Sequence, residues 1–248
     1  MGWLDNTIGR GITKKKSPAK KQITPVAEPK APSVAIPQAP VSLDAVELLT
    51  QEGIDAIIDF EVGGGRYYED YLSGVCRPNT GDSGITIGIG CDLGHLSQEE
   101  FKREWQEFLA PETFNKLLKV IGFRGWNAED CLTGLASVHI PFATALAHFS
   151  KYTLPKWIDR SRKLWPNWDS LLPLQRTALL SIAYNRGTSL TGARREEMRE
   201  MVELLKDSNL NGIPSLIRSM SHWHTLNGLQ IRRHKEAILF ECADQKRT

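Results

Sequence analysis

The chain has 248 residues, and its 31 Lys and Arg against 29 Asp and Glu leave a net charge of +2. So even a balance argues against nucleic-acid binding by the chain as a whole. No apolar run reaches the ~18 residues of a membrane span, and the length allows one or two domains.

The first residues, MGWLDNTIGRGITKKK, lack the apolar core and small-residue cleavage site of a secretory signal. Asn6 stands where a myristoylation pattern needs Ser or Thr. Residues 10–41 are rich in Pro, Ala and Lys and contain no aromatic. Such a segment cannot bury enough apolar surface to fold, so residues 1–41 are expected to be a disordered basic tail and linker. Its lysines (Lys14, Lys15, Lys16, Lys20, Lys21) suit an anionic membrane surface or nucleic acid, or simply a solvated tail. Trp3, Leu4 and Ile8 ahead of them suggest a short delivery peptide.

Residues 42–248 read as one globular domain. About 200 residues can bury about 70% of their unfolded surface. A helix is predicted from Leu43 towards Phe60, with an interruption at Gly53 and a stop at Gly63, Gly64 and Gly65. Ile85, Ile87 and Ile89 alternate with Thr86, Gly88 and Gly90, which is strand periodicity. Ser97 with Glu100 forms a capping box that opens a helix at Gln98. Pro111 fits the first turn of a helix ending before Gly122. Further helices are predicted near 141–150, 155–164, 172–186, 194–206, 212–221 and 228–241. One short strand region among many helices predicts an α+β, mostly helical fold. The four cysteines (Cys76, Cys91, Cys131 and Cys242) share no CxxC spacing, so free thiols are expected and a zinc site is not supported.

Glu61 is the anomaly in this pattern. Ile54, Ile57 and Ile58 recur at helical spacing, and Glu61 is the next position on their stripe. A carboxyl on the buried side of a helix end is poorly solvated and keeps its proton near neutral pH, as a general acid must. The alternative is a helix that ends at Phe60 and leaves Glu61 in water. Downstream, Thr86, Gly88, Gly90 and Asp92 share strand parity. Read as one strand, they make a polar face whose glycines admit a substrate or another backbone. Read as a Gly-rich turn, Asp92 satisfies loop amides. Two carboxyl groups in different environments, Glu61 protonated and Asp92 ionised, can act as acid and base on one glycosidic bond.

Other residues carry two readings each. Tyr67 and Tyr68 either stack on sugar rings or pack beside the glycine run. Asn185 and Arg186 either bind a glycan or its peptide or cap a helix end. His222 and His224 flank Trp223, but no third metal ligand accompanies them; Trp223 is expected in the core or a cleft wall. Arg232, Arg233 and Lys235 read as a solvated face that could attract anionic polymers.

The order of Glu61, about two dozen residues, then TIGIG resembles the phage-type lysozymes of glycoside hydrolase family 24. The run SGITIGIGCDLG (83–94) is most similar to the pesticin-type muramidase branch. Residues 171–190 resemble the family's central helix and following loop, and 217–241 its last helices, where Gly228 precedes an Arg pair and a Glu. The resemblance covers about 43–241 in the right order. It implies a lysozyme-like fold with a small β-containing lobe and a larger helical lobe. It places the general acid on Glu61, the family Thr on Thr86 and the family Asp on Asp92. Two departures stand out. Cys91 replaces a common aromatic, and the phage branch carries its Asp before the Thr, where Asp82 is the nearest equivalent.

The resemblance implies hydrolysis of the β-1,4 bond between N-acetylmuramic acid and N-acetylglucosamine, by a monomer without metal or cofactor. The partners it implies are peptidoglycan strands, a delivery system and a cognate immunity protein. The protein would be made in the cytoplasm and act in the periplasm or cell wall, as a phage endolysin or an antibacterial effector. The competing readings are an inert wall-binding module and a lytic transglycosylase.

Overall fold

The computed structural model describes residues 43–78, 81–223 and 227–245. The expected tail at 1–41 lies outside these residues. The described chain is mostly helical with a single small antiparallel sheet, as the sequence predicts for its fold class.

Helix α1 (Leu43–Leu49) is separated from α2 (Gln51–Val62) at Thr50 rather than at Gly53. Thr50 adopts φ 62°, and its hydroxyl accepts a hydrogen bond from the Gly53 amide, so it caps α2. Gly53 is instead an ordinary helical position packed against Thr177. Gly63 ends α2 in the left-handed conformation, but Gly64 immediately begins α3 (Gly64–Tyr71), an element the glycine run concealed.

The sheet consists of β1 (Thr86–Ile87) and β2 (Cys91–Asp92), joined by a three-residue turn. The expected single strand is therefore a hairpin. Ile85, Ile87 and Ile89 do reach the core and are buried. Helices α4 (Gln98–Trp105) and α5 (Pro111–Leu118) follow, the first opened by the Ser97–Glu100 capping box. A short α6 (Gly125–Glu129) leads to α7 (Phe142–His148), a π turn at Phe149–Thr153 and α8 (Leu154–Leu164). The π turn has a cause. Pro155 offers no amide to the preceding turn and its ring crowds a carbonyl there, so the ladder widens just before it.

The remaining helices are α9 (Pro173–Arg186), α10 (Glu196–Lys206), α11 (Ile213–Ser219) and α12 (Asn227–Gln245). Helix α9 is buried through most of its length, from Leu174 to Ala183. It packs against α1, α2, α8 and α12 and is the axis of the core. All four cysteines are free thiols. Among the described residues no helix is long and apolar enough to cross a membrane.

Candidate active site

Helix α2 sends its apolar stripe, Ile54, Ile57 and Ile58, into the core and carries Glu61 on the same face in its last turn. The Glu61 side chain is 16% exposed, so the stripe reading holds and the solvent-facing one does not. Burial lifts its carboxyl above the ordinary value of 4.5, against the opposing pull of Arg232. Nη1 of Arg232 lies 2.6 Å from Glu61 Oε1.

Arg232 belongs to a buried cluster that the sequence reading missed. Arg232, Arg233 and Glu236 were expected on a solvated face or left unassigned, yet all three are buried on α12. Only Lys235 stays half exposed, 3.6 Å from Asp59. Glu236 Oε1 accepts from Arg232 Nε at 3.0 Å and from the Ser181 hydroxyl at 2.5 Å. Its Oε2 lies 3.1 Å from Arg233 Nη1. The signal was available: Arg232, Arg233, Glu236, Ala237 and Phe240 recur at helical spacing, the same charge-on-a-stripe anomaly that exposes Glu61.

The hairpin supplies the second half. Thr86 and Asp92 are direct partners across the antiparallel ladder. Directly opposed residues place their side chains on one face. Their shared parity was right, but it arises from pairing across a turn, not from one continuous strand. Oδ1 of Asp92 accepts two amides, Gly84 at 2.9 Å and Gly94 at 2.8 Å. The loop-capping reading of Asp92 is thus realised at one of its oxygens. Oδ2 points towards His95, whose Nε2 is 3.8 Å away.

This explains the glycines of the SGITIGIGCDLG run. A Cβ on Gly84 would meet the Gly94 amide at 2.3 Å, so the two chain segments touch backbone to backbone and Asp92 ties them together. Gly90, at φ +72°, turns the hairpin, and a Cβ there would meet the Tyr184 hydroxyl at 2.6 Å. Gly88 packs likewise on Trp105. Of the two glycines expected on a cleft floor, Gly90 is exposed and lines a cleft with Asp92, whereas Gly88 is buried against Trp105.

Tyr184, near the end of α9, joins the two halves. Its hydroxyl donates to the Ile89 carbonyl at 2.9 Å. Burial, and then the neighbouring Glu61 and Cys91, push its phenol well above 10. Burial also raises the Cys91 thiol to about 12, so this cysteine is a neutral thiol and not a nucleophile.

Two clefts open from the end of α9. The first, about 180 Å³, is lined by Asp92, His95, His148, Lys156, Trp157 and Tyr184. His148 is buried, stacks on Trp105 at 3.6 Å and is held neutral, its pKa lowered to about 3 by burial. The second, about 530 Å³, is lined by Asn185, Arg186, Arg194, Arg195, Trp223 and Leu229. Asn185 and Arg186 therefore do face a cleft, while also serving the fold. Asn185 accepts from Arg233 Nη2 at 2.8 Å, and Arg186 donates to the Arg194 carbonyl. Trp223 is half-buried and donates to Glu197 at 2.6 Å.

The two tyrosines separate. Tyr67 is 52% exposed and packs against Tyr71 at 4.8 Å. Tyr68 is fully buried, with its hydroxyl on the Ile140 carbonyl, and cannot stack on a sugar. That assignment is withdrawn; α3 turns its Tyr68 face into the core. Asp82 is exposed on the turn before β1 and has no place in the Thr86–Asp92 ladder. His222 contacts the Ser219 carbonyl and lies 3.6 Å from Glu197; His224 lies outside the described residues. Among the described residues no cluster of His, Cys, Asp and Glu has the makings of a metal site.

Comparison with models of known protein families gives no match, and comparison with curated protein sequences gives none either.

Proposed function

We propose that the chain is a peptidoglycan hydrolase, an N-acetylmuramidase that cleaves the β-1,4 bond between N-acetylmuramic acid and N-acetylglucosamine. The observation that carries the reading is the contrast between its two carboxyl groups. Glu61 sits at a buried helix end where burial favours its proton. Asp92 sits on a hairpin, 24% exposed, and accepts two amides through one oxygen. Two carboxyl groups in such different surroundings can serve as acid and base on one glycosidic bond.

In this mechanism Glu61 protonates the leaving glycosidic oxygen. Asp92 Oδ2, the oxygen not engaged by the amides, takes a proton from water while the Thr86 hydroxyl opposite holds that water in line. The proton lost by Glu61 is balanced by the one Asp92 gains. This is the inverting layout, which requires carboxyl groups about 6.5–9.5 Å apart. The reading includes a lysozyme-like fold and action on the wall in the periplasm after delivery across the inner membrane. An immunity protein in the producing cell follows if the delivery is to rivals.

One observation favours a second reading. Asp92 has a structural duty whether or not it catalyses, because its Oδ1 ties Gly84 to Gly94. If that is its whole duty, Glu61 acts alone, as in a lytic transglycosylase. Mass spectrometry of digested peptidoglycan decides between them: reducing-end muropeptides support the hydrolase, anhydro-muropeptides the transglycosylase, and no product an inert wall-binding module.

A further inference from the structure

Glu61 lies under two opposed influences, burial that favours its proton and Arg232 that opposes it. A guanidinium 2.6 Å from a carboxyl stabilises the ionised form, the opposite of what a general acid needs. The Arg232–Glu61 contact alone would make Glu61 a poor acid.

The resolution lies in how Arg232 is shared. Its three nitrogens face three different partners. Nη1 meets Glu61, Nε meets Glu236 at 3.0 Å, and Nη2 donates to the Ser181 carbonyl at 3.1 Å and hydroxyl at 3.0 Å. Glu236 is fully buried; the Ser181 hydroxyl donates to the same oxygen as Arg232, and Arg233 meets the other oxygen. Helix periodicity enforces the arrangement, since Glu236 is four residues after Arg232 and three after Arg233. Arg232 thus has a second buried carboxyl partner besides Glu61.

We infer that Glu236 is a positioning residue for Glu61: it anchors the Arg232 guanidinium and offsets part of its charge, so that Arg232 orients the acid with a weaker claim on its proton. The inference rests on the assignment of Glu61 as the acid. Other charged or titratable groups face this pair. From α12 comes Arg233, and from α9 come Tyr184, beside Glu61 and Arg232, and Arg186, beside Glu236. Of the charges that act on Glu61, Arg232 pulls its pKa down most, Glu236 pushes it up next, and Arg233 pulls it down least. Removing Glu236 therefore leaves an excess of positive charge at the acid, even if Arg233 is removed with it.

The test is a direct titration of Glu61 by carbon-13 NMR in protein labelled at the Glu carboxyl, with Glu61→Gln identifying the signal. Its readout does not depend on hydrolysis, so loss of the enzymatic reading and loss of this inference are separate results. In Glu236→Gln the Glu61 midpoint should move down by about one pH unit or more. That is a tenfold loss of protonated acid at any pH above both midpoints. Glu236→Asp, which keeps the charge, should restore most of the shift. Glu236→Gln strands Arg233, so the Arg233→Met/Glu236→Gln pair, which removes one charge of each sign, is the safeguard if the single variant does not fold. The pair should also move the midpoint down. An unchanged or raised Glu61 midpoint in whichever variant folds would overturn the inference. So would a Glu236→Asp midpoint no different from that of Glu236→Gln.

Discussion

Thr86 and Asp92 are cross-strand partners in a hairpin whose arms are two residues each, and the Asp92 carboxylate is also the tie between Gly84 and Gly94. One side chain thus serves the fold through Oδ1 and is free to serve chemistry through Oδ2. This double duty makes the choice of substitution decisive.

Asp92→Asn keeps an oxygen that can accept both amides and removes the charge. Folding should be nearly intact, with wall hydrolysis reduced by ~10²–10⁴-fold, the worth of general acid–base assistance. Asp92→Ala strands two buried amides at about 1–3 kcal/mol each, so its melting temperature should fall as well. Asp82→Asn should be mild in both assays. Paired melting curves and turbidity assays check this; a severe Asp82→Asn with an active Asp92→Asn would move the base to the approach of the strand.

Gly90→Ala tests the link between hairpin and helix. The positive φ alone costs an L-residue roughly 1–2 kcal/mol, and the new methyl would lie 2.6 Å from the Tyr184 hydroxyl. Denaturant unfolding should show a loss of at least that size. Tyr184→Phe relieves the contact but leaves the Ile89 carbonyl without its donor. The loss in the double variant should therefore be smaller than the sum of the two single losses.

The hairpin shows where reading the sequence succeeded and where it could not. Alternation of Ile85, Ile87 and Ile89 identified a β region and its buried face. It could not tell one strand from two arms and a turn, because the positive φ of Gly88 and Gly90 is a backbone property. Similarly, Glu61 was legible because a lone charge interrupted an apolar stripe on a short helix. Arg232 and Arg233 broke the same rule on α12, but with Lys235 beside them they read as a wet surface. Their shared pairing with Glu236 and their hydrogen bonds to Ser181 and Asn185 make them part of the core. Tyr68 was lost for a different reason: it directly follows Tyr67, and a helix start hidden in three glycines decides which of the two faces inwards.

The pH dependence follows from the direction of the Glu61 shift. Its folded-state pKa is raised above 4.5, first by burial. Activity on peptidoglycan should therefore persist above the ordinary carboxylate range and fall as pH rises through the Glu61 value. Stability carries the same sign. The contribution from Glu61 is fully present below its unfolded pKa and is lost as pH rises through its folded one. Chemical denaturation across this window should show wild-type stability declining relative to Glu61→Gln. A gap that is flat with pH, or that widens in favour of the wild type, would contradict the raised value.

A chain beginning at Val41 should melt close to the full-length protein and hydrolyse purified peptidoglycan at a similar rate, since every candidate catalytic group lies at or after Glu61. What it should lose is delivery, if Trp3, Leu4 and Ile8 serve as a docking peptide on a basic tether. Killing or lysis assays with intact cells check this. Undiminished lysis by the shortened chain would remove the docking role, and a large loss on purified wall would make the tail part of substrate binding.

The central claim is that Glu61 donates the proton in a hydrolysis of the glycan strand. Its most direct test is mass spectrometry of purified peptidoglycan incubated with the wild-type protein and with Glu61→Gln, the fold of the latter verified by melting. The account predicts reducing-end muropeptides from the wild type and a yield lower by at least ~10²-fold from Glu61→Gln. Anhydro-muropeptides, no products at all, or a Glu61→Gln protein that retains more than about a tenth of the wild-type yield against that ~10²-fold expectation, would contradict it.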